Sequence, residues 1–318
     1  MGEREPEMVQ NVIYLGNQRV LVRLAFGGYL VVPTWNVDVG VGLIRDGLIE
    51  PWTTAAVKAL LSYANTYVNV GANFGYYAVL GAHLVERRGK VFAIEANPHL
   101  IPDLVRTTYW AGFPDVIRLF QCAVADESGR TLKLSFDPQF IGGGTVQDWS
   151  LAIAASPPIR HFEECFWTAD KVALMKGPSH EVNKAIGFMS EIEVVSETLD
   201  RILAEVAEVD LLHMDIEGSE PAAILGAREI IRRSPDLAII MEWSPNYAAA
   251  HPNLIRDMFQ FLTSEGYRFH LLDPASFDPN AEFPATVPVA TLADLMATPH
   301  GDLVCLRRKR AQALGLAA

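Results

Sequence analysis

The sequence predicts a doubly wound α/β fold, a mostly parallel sheet with helices on both faces, and three observations carry that prediction. The first is a β-branched run that breaks into a glycine-bracketed turn and continues as an apolar helix, VNVGANFGYY from Val68 to Tyr77. The second is an apolar strand from Val91, VFAIEANP, whose acidic end, Glu95, falls about 20 residues after the turn, as expected of a carboxylate that holds ribose hydroxyls. The third is an alternation of strand-like and helix-like segments along most of the remaining chain. Together the first two point to an adenosine-containing ligand.

Composition narrows the classes. A chain of 318 residues with 50% hydrophobic content can bury a full core, and 38 acidic against 26 basic residues give a net charge of -12. Nucleic acid is therefore excluded as a partner, because binding it rests on phosphate neutralisation. The basic run Arg307 to Arg310 reads as a solvated tail. Cys122, Cys165 and Cys305 are far apart and odd in number, which fits a reduced, cytoplasmic protein. No apolar run approaches the roughly 20 residues needed to cross a bilayer, and no basic leader precedes a long apolar stretch.

Taken in order, Asn11 to Pro33 is rich in Val, Leu, Ile and Tyr and is broken by Gly16 and Gly27-Gly28, which predicts short antiparallel strands. Residues 1–50 thus read as an N-terminal β-rich extension and 51–318 as the main domain. A helix over Ala55 to Tyr63, preceded by Pro51, leads into the first core strand. The helix after the glycine turn covers Tyr76 to Val85, and its N-terminus carries partial positive charge. After Pro98, Leu100, Leu104, Thr107 and Thr108 recur at helical spacing up to Gly112, and a third strand is expected over Val116 to Val124. The DESGR turn, Asp126 to Arg130, joins it to TLKLSF, expected as its antiparallel partner.

Residues 142–190 read as an insertion opened by three glycines, with Trp149, Phe162, Phe166 and Trp167 among scattered charges. Such a segment fits a cap over a substrate or a locally packed excursion, and its aromatics suit stacking on a ligand or a small satellite core. A strand over Ile192 to Val195 and a helix over Leu199 to Val206 resume the alternation. Val209 to Glu217, VDLLHMDIE, is expected as a strand that sets His213, Asp215 and Glu217 on one side with period two. Ser219 as N-cap and Pro221 in the first turn open a helix to about Arg233. A strand over Leu237 to Trp243 carries Glu242 near its end. A helix over Asn253 to Ser264, strands over Tyr267 to Leu272 and Leu303 to Arg307, and a short helix around Leu292 to Met296 complete the chain.

The glycine spacing narrows the ligand. Dinucleotide folds use G-x-G-x-x-G, whereas Asn73 here replaces the middle glycine and the spacing is G-x-x-x-G; no G-x-x-x-x-G-K-[ST] is present either. VNVGANFG with AIEANP, HMDIEGSE before a helix, IIMEW after it, and Gly47, Glu50 and Pro51 upstream together resemble the FkbM family of S-adenosylmethionine-dependent methyltransferases. The resemblance covers 47–129 and 191–243. It implies a Rossmann-like, seven-stranded class I methyltransferase sheet, S-adenosyl-L-methionine as cofactor, and O-methylation of a hydroxyl on a sugar, glycan or polyketide-type natural product. It further implies that Gly71 and Gly75 cradle the methionine end, that Asn73 caps backbone or touches the cofactor, and that Glu95, with Asn97 beside it, takes the ribose. The backbone of Cys122 and Ala123 would border the adenine, and Glu50 would meet the amino group. Asn69, in the cofactor set, stands where the family commonly has aspartate, and His213 where it commonly has lysine; Asp215, Glu217 and Gly218 match.

Methyl transfer needs orientation and removal of the acceptor's proton. Asp215, at the end of its strand, and Glu217, in the following loop, are candidate bases. His213, one pleat deeper, is either a third candidate or a hydrogen-bonded core histidine. Asp215, Glu217 and Glu242, with His213, could hold a divalent metal, which is not favoured because a pleat spreads them; Glu242 could equally pair with a neighbour. Two rivals stand beside this reading, a domain that binds the cofactor without turnover and a nicotinamide-dependent oxidoreductase.

Overall fold

The computed structural model describes residues 11–138, 141–147, 190–244 and 250–316. Trp149, Phe162, Cys165, Phe166 and Trp167 lie outside them, as does most of the expected insertion. The N-terminal strands form as expected: β1 (Val12–Gly16), β2 (Arg19–Arg23) and β3 (Tyr29–Pro33) make an antiparallel sheet. This sheet shares the main core, since Val20, Val22, Leu30 and Val32 are buried with Leu80 and Leu104. Helix α1 (Val39–Asp46), not foreseen in the sequence, follows with Asp38 as N-cap and Gly47 in the left-handed conformation as its stop. Next come α2 (Pro51–Leu60), with proline in its first turn, and β4 (Thr66–Val70).

From β4 the chain winds outward through α3 (Tyr76–Val85), β5 (Lys90–Glu95), α4 (Ile101–Trp110) and β6 (Ile117–Gln121), all three strands parallel. Two expectations fail here. The third strand breaks at Cys122, and its last residues, β7 (Ala123–Val124), leave the main sheet to pair with β9 (Ser190–Glu197). TLKLSF, β8 (Thr131–Phe136), pairs antiparallel with β9 and not with the strand before it, so the three form a separate sheet in the order β7-β9-β8. The turn is anchored to β9: Gly129 donates its amide to Ser196 O at 2.8 Å, and Ser196 Oγ donates to Glu127 O at 2.7 Å.

After α5 (Leu199–Ile202), β10 (Leu211–Met214) returns to the centre and pairs in parallel with β4 on one side and with β11 (Ala238–Trp243) on the other. The helix expected as one is broken at Gly226 and Ala227 into α6 (Glu220–Leu225) and α7 (Arg228–Arg233), and Gly226 there passes so close to Ala125 that a Cβ would stand 2.1 Å from its carbonyl oxygen. Helix α8 (Pro252–Ser264), β12 (Tyr267–Leu272), β13 (Thr286–Val289), α9 (Leu292–Ala297), β14 (Gly301–Arg307) and α10 (Arg308–Ala313) complete the described chain.

The main sheet runs β13-β12-β14-β11-β10-β4-β5-β6, with β14 antiparallel to both neighbours. This is the expected seven-stranded sheet plus one edge strand, β13, from what the sequence presented as a proline-rich loop. Alternating residues feed two cores. Tyr67, Ala93, Leu211 and Ile240 face one, with α2 and α3; Val68, Val70, Phe92, Met214 and Met241 face the other, with α6 to α9. The basic run is not a solvated tail. Arg307 donates to the carbonyls of Ser234, Ile231 and Glu265, and Arg310 to those of Leu60, Asp210 and Asp236. Among the described residues no helix is long and apolar enough to cross a membrane.

Candidate active site

Strand order reverses between β4 and β10, and the crevice outside the carboxyl ends of such a pair is where open α/β sheets bind ligands. Gly71 (φ +78°) turns the chain there, and a Cβ on it would stand 1.8 Å from the Asp215 carbonyl oxygen, so only glycine fits. The amides of Gly71 and Ala72 both donate to Ile94 O, and Gly75 (φ +96°) starts α3. The turn and the end of β5 are tied by one carboxylate: Glu95 accepts the Asn73 amide at 2.8 Å on Oε2 and the Asn97 amide at 2.8 Å on Oε1. Burial raises its pKa, against those amide hydrogen bonds, which lower it.

Two cavities meet at this point. The first is lined by Gly71, Asn73, Glu95, Asn97, Cys122 and Ala123, which brings most of the expected cofactor set together. Burial, then Glu197, pushes the Cys122 thiol up to about 11, so it stays protonated. The second cavity, about 250 Å³, is lined by Asp38, Glu50, Asp215, Glu217 and Glu242 beside Phe74, Tyr76 and Tyr77. Gly71, Asn73, Gly142 and Asp215 line both. Gly75 lines neither; it starts α3 beneath the turn.

The expected one-sided row of His213, Asp215 and Glu217 does not form. Strand β10 stops at Met214, and Glu217 takes φ +52°, so the two carboxylates leave the strand and enter the second cavity while His213 stays behind. His213 is buried in the core; its Nδ1 lies 3.1 Å from Tyr67 Oη, its ring sits edge-on to Tyr77, and burial lowers its pKa to about 3. It is neutral and lines neither cavity. Asn69, beside it in the sheet, is 1% exposed, and neither side-chain atom has a partner among the described residues. Ser219 caps no amide with its side chain; its Oγ accepts from Gln147 Nε2, and Glu220 Oε1 instead accepts the Ile216 amide.

The carboxylates are close enough to govern one another. One oxygen each from Asp215, Glu217 and Glu242 lie within 4.8 Å, so the chain's turn after Met214 gathers what a continuous pleat would have spread, and the three could ligate a divalent cation. Burial is the largest cause of the raised pKa of all of them. Glu217 rises to about 7, helped by Asp38 and Glu50, and Glu50 rises to about 7, helped by Asp302 and opposed by the Tyr77 hydroxyl, which donates to it at 2.6 Å. Asp215 is raised well above its usual range, and Glu242 is pushed up to about 12. Glu242 has the neighbour considered for it, with His300 Nε2 3.4 Å from Oε1, while Oε2 is buried without a partner among the described residues. Asp38, Tyr77 and Asp302 belong to the site without any motif in the sequence to mark them. Asp302 stands opposite Glu242 in the β11/β14 register, a non-local pairing that no motif announces.

A doubly wound sheet with a ligand crevice at its switch point, an acidic residue at the end of its second strand and no G-x-G-x-x-G at its first turn is the architecture of class I S-adenosylmethionine-dependent methyltransferases. Residues 69–269, more than half of the chain, match the model of the methyltransferase FkbM domain, and the chain belongs to that family. A curated relative, the 2-O-methyltransferase NoeI of Sinorhizobium fredii (strain NBRC 101917 / NGR234), is 26% identical over 149 residues, 46% of this chain and 51% of the relative. The match thus spans about half the length of that relative. Among solved structures, the methyltransferase FkbM from Methylobacillus flagellatus KT is 14% identical, covering 78% of this chain and 47% of that one at a TM-score of 0.40. The O-methyltransferase from Bacillus cereus in complex with SAH is 9% identical, covering 82% and 83% at a TM-score of 0.41. Family membership sets aside the nicotinamide-dependent oxidoreductase.

The first cavity suits the family's cofactor. Glu95 is fixed by two amides and has lone pairs left to accept hydroxyls, and Asn97 Nδ2 and Asn73 Oδ1 are buried there without partners among the described residues.

Proposed function

We propose that this chain methylates a hydroxyl oxygen of a sugar, glycan or polyketide-type acceptor seated in the carboxylate-lined cavity. The observation that carries the proposal is that this cavity adjoins the cofactor cavity at Gly71, Asn73, Gly142 and Asp215. The 2-O-methyltransferase named among the relatives supports a hydroxyl acceptor. When bound, S-adenosyl-L-methionine supplies a methyl group already activated on a sulfonium. The chain's own residues then have two tasks, to orient and to move a proton.

In this reading Glu95, Asn97 and the Gly71 to Gly75 turn hold the nucleoside and methionine parts, with Cys122 and Ala123 beside the base. Asp215, which lines both cavities, faces the cationic parts of the cofactor, and Glu50 stands across the acceptor cavity from them. Glu217 takes the acceptor's proton: its pKa of about 7 makes it half-ionised at neutral pH, the condition under which a general base is most effective. His213 acts only by supporting Tyr77. No lysine or arginine is among the described residues lining the acceptor cavity, so phosphate- or carboxylate-bearing acceptors are disfavoured there. The methyltransferase unit runs over 51–318 in this reading, with 1–50 as an N-terminal extension.

The test is calorimetric titration of S-adenosylmethionine, S-adenosylhomocysteine and NAD into the wild type and Glu95→Ala, followed by an acceptor screen. Binding of the two sulfur ligands that weakens at least tenfold in Glu95→Ala is expected, since hydrogen bonds to a charged group contribute about 1.5–3 kcal/mol. Methyl transfer lost in Glu217→Gln with cofactor binding retained is expected of an enzyme, since Glu217 lines only the acceptor cavity; no transfer to any hydroxyl acceptor by the wild type would favour a domain that only binds the cofactor.

A further inference from the structure

Asp38 takes no proton from the acceptor and reaches Glu217 only through its charge, yet both of its carboxylate oxygens are engaged elsewhere. Oδ1 accepts the Val39 amide at the start of α1, and Oδ2 accepts the Gly142 amide at 2.9 Å across 104 positions of sequence. Gly142 is one of the few residues that line both cavities. A Cβ built on it would stand 3.0 Å from Asp38 Oδ2, 3.1 Å from the Val39 side chain and 3.6 Å from Asn73 Nδ2, so the glycine turn, the start of α1 and the cofactor cradle converge there.

The far end of this turn is fastened independently. Thr145 exchanges backbone hydrogen bonds of 2.9 and 3.0 Å with Ser135, and its Oγ1 donates to Glu217 O at 2.7 Å. Gln147 Nε2 donates to Ser219 Oγ at 2.9 Å. The near end, Ile141 to Gly144, is held by the burial of Ile141 in the core and, among the described residues, by one hydrogen bond to a side chain, that of Asp38.

We infer that Asp38 is a positioning residue for methyl transfer: its carboxylate clasps the Ile141 to Gly144 turn to α1 and so fixes the wall that the cofactor and acceptor cavities share. The inference rests on the reading of the two cavities given above. It makes the site depend on a helix upstream of 69–269, the part of the chain that matches the family model.

Asp38→Ser separates this role from ordinary helix capping. Serine caps a helix about as well as aspartate but is too short to serve Val39 and Gly142 together, whereas alanine does neither. The expected result is that S-adenosylhomocysteine binds about tenfold more weakly to both variants, the scale of a lost hydrogen bond to a charged group. Amide exchange over 141–144 accelerates in both, while Asp38→Ser melts near the wild-type temperature. Wild-type affinity and wild-type exchange in Asp38→Ser would overturn the inference and leave Asp38 as a helix cap. Should neither variant fold, exchange in the wild type decides: slow exchange of the Gly142 amide supports the clasp, and exchange at an open-loop rate overturns it. A wild type that binds no S-adenosylhomocysteine would instead sink the cofactor reading, which the exchange measurement does not touch.

Discussion

Glu217 and Glu50 are carboxyls whose pKa of about 7 in the folded chain lies above the ordinary value of 4.5, and two consequences follow with opposite signs. For catalysis, the base must be ionised, so kcat/KM should rise with pH through about 7; in Glu217→Gln the rate should fall by at least a hundredfold and lose that limb, as stopped-time methylation assays over pH 5.5–9 would read, since general-base catalysis contributes ~10²–10⁴. For stability, the folded state holds its protons longer than the unfolded state does. The cofactor-free protein should therefore lose stability as pH climbs from 4.5 to about 7 and change little from this source above it. Thermal melts across that window check the sign, and a rise in stability over it would refute the burial of these groups. His213, lowered to about 3 by burial, adds nothing to the catalytic limb, but between about 3 and 6.5 only the unfolded chain protonates it, so it works against the carboxyls' loss of stability over that part of the window. A lone histidine in an apolar strand reads the same in sequence whether it faces a cavity or a core; here Tyr67 and Tyr77 decide, and both are remote from it in the chain.

At the scale of elements, what was legible was local. The end of β4, the Gly71 turn and α3 follow from β-branched residues, two glycines with positive φ and an apolar run, all within a few residues of one another. Gly71→Ala is the sharpest test of that segment. The left-handed backbone alone costs an alanine about 1–2 kcal/mol, and the methyl group would in addition force the Asp215 carbonyl away, so denaturant unfolding should show a larger loss than that, together with lost cofactor binding. What was not legible was partner choice. β8 alternates as any antiparallel strand does, and nothing in TLKLSF says that its neighbour is β9 rather than the strand before it. Asp215 and Glu217 keep a period of two in the sequence after the backbone has left extended geometry, which is why the pattern overran the strand. Helix α1 was hidden by its own glycines, although Asp38 and Gly47 mark its two ends.

Across the whole molecule, Arg310 joins carbonyls that the sequence holds far apart, those of Leu60 after α2, Asp210 before β10 and Asp236 before β11. It lies at the opposite ends of these strands from the cavities. Arg310→Ala should cost about 2 kcal/mol of stability in chemical denaturation and leave affinity for S-adenosylhomocysteine unchanged, because the carbonyls lose a charged donor but no cavity residue moves. The β4/β10 seam has a further consequence. It is where the outward-winding first half of the sheet meets the second half, in a register that pairs Tyr67 with Leu211 and Val70 with Met214. Its partners stand 144 positions apart in the chain, so closing this pairing costs more chain entropy than joining strands that are near neighbours in sequence. Both walls of the crevice stand on this seam, Gly71 on one side and Asp215 on the other. A molecule held in the crevice therefore sutures the two halves of the sheet at this long-range junction. At a hundred times its dissociation constant it adds about 2.7 kcal/mol to the folded state, and where it bridges the seam that gain is expressed as slower unfolding, so that the enzyme's lifetime in the cell rises and falls with its supply of cofactor.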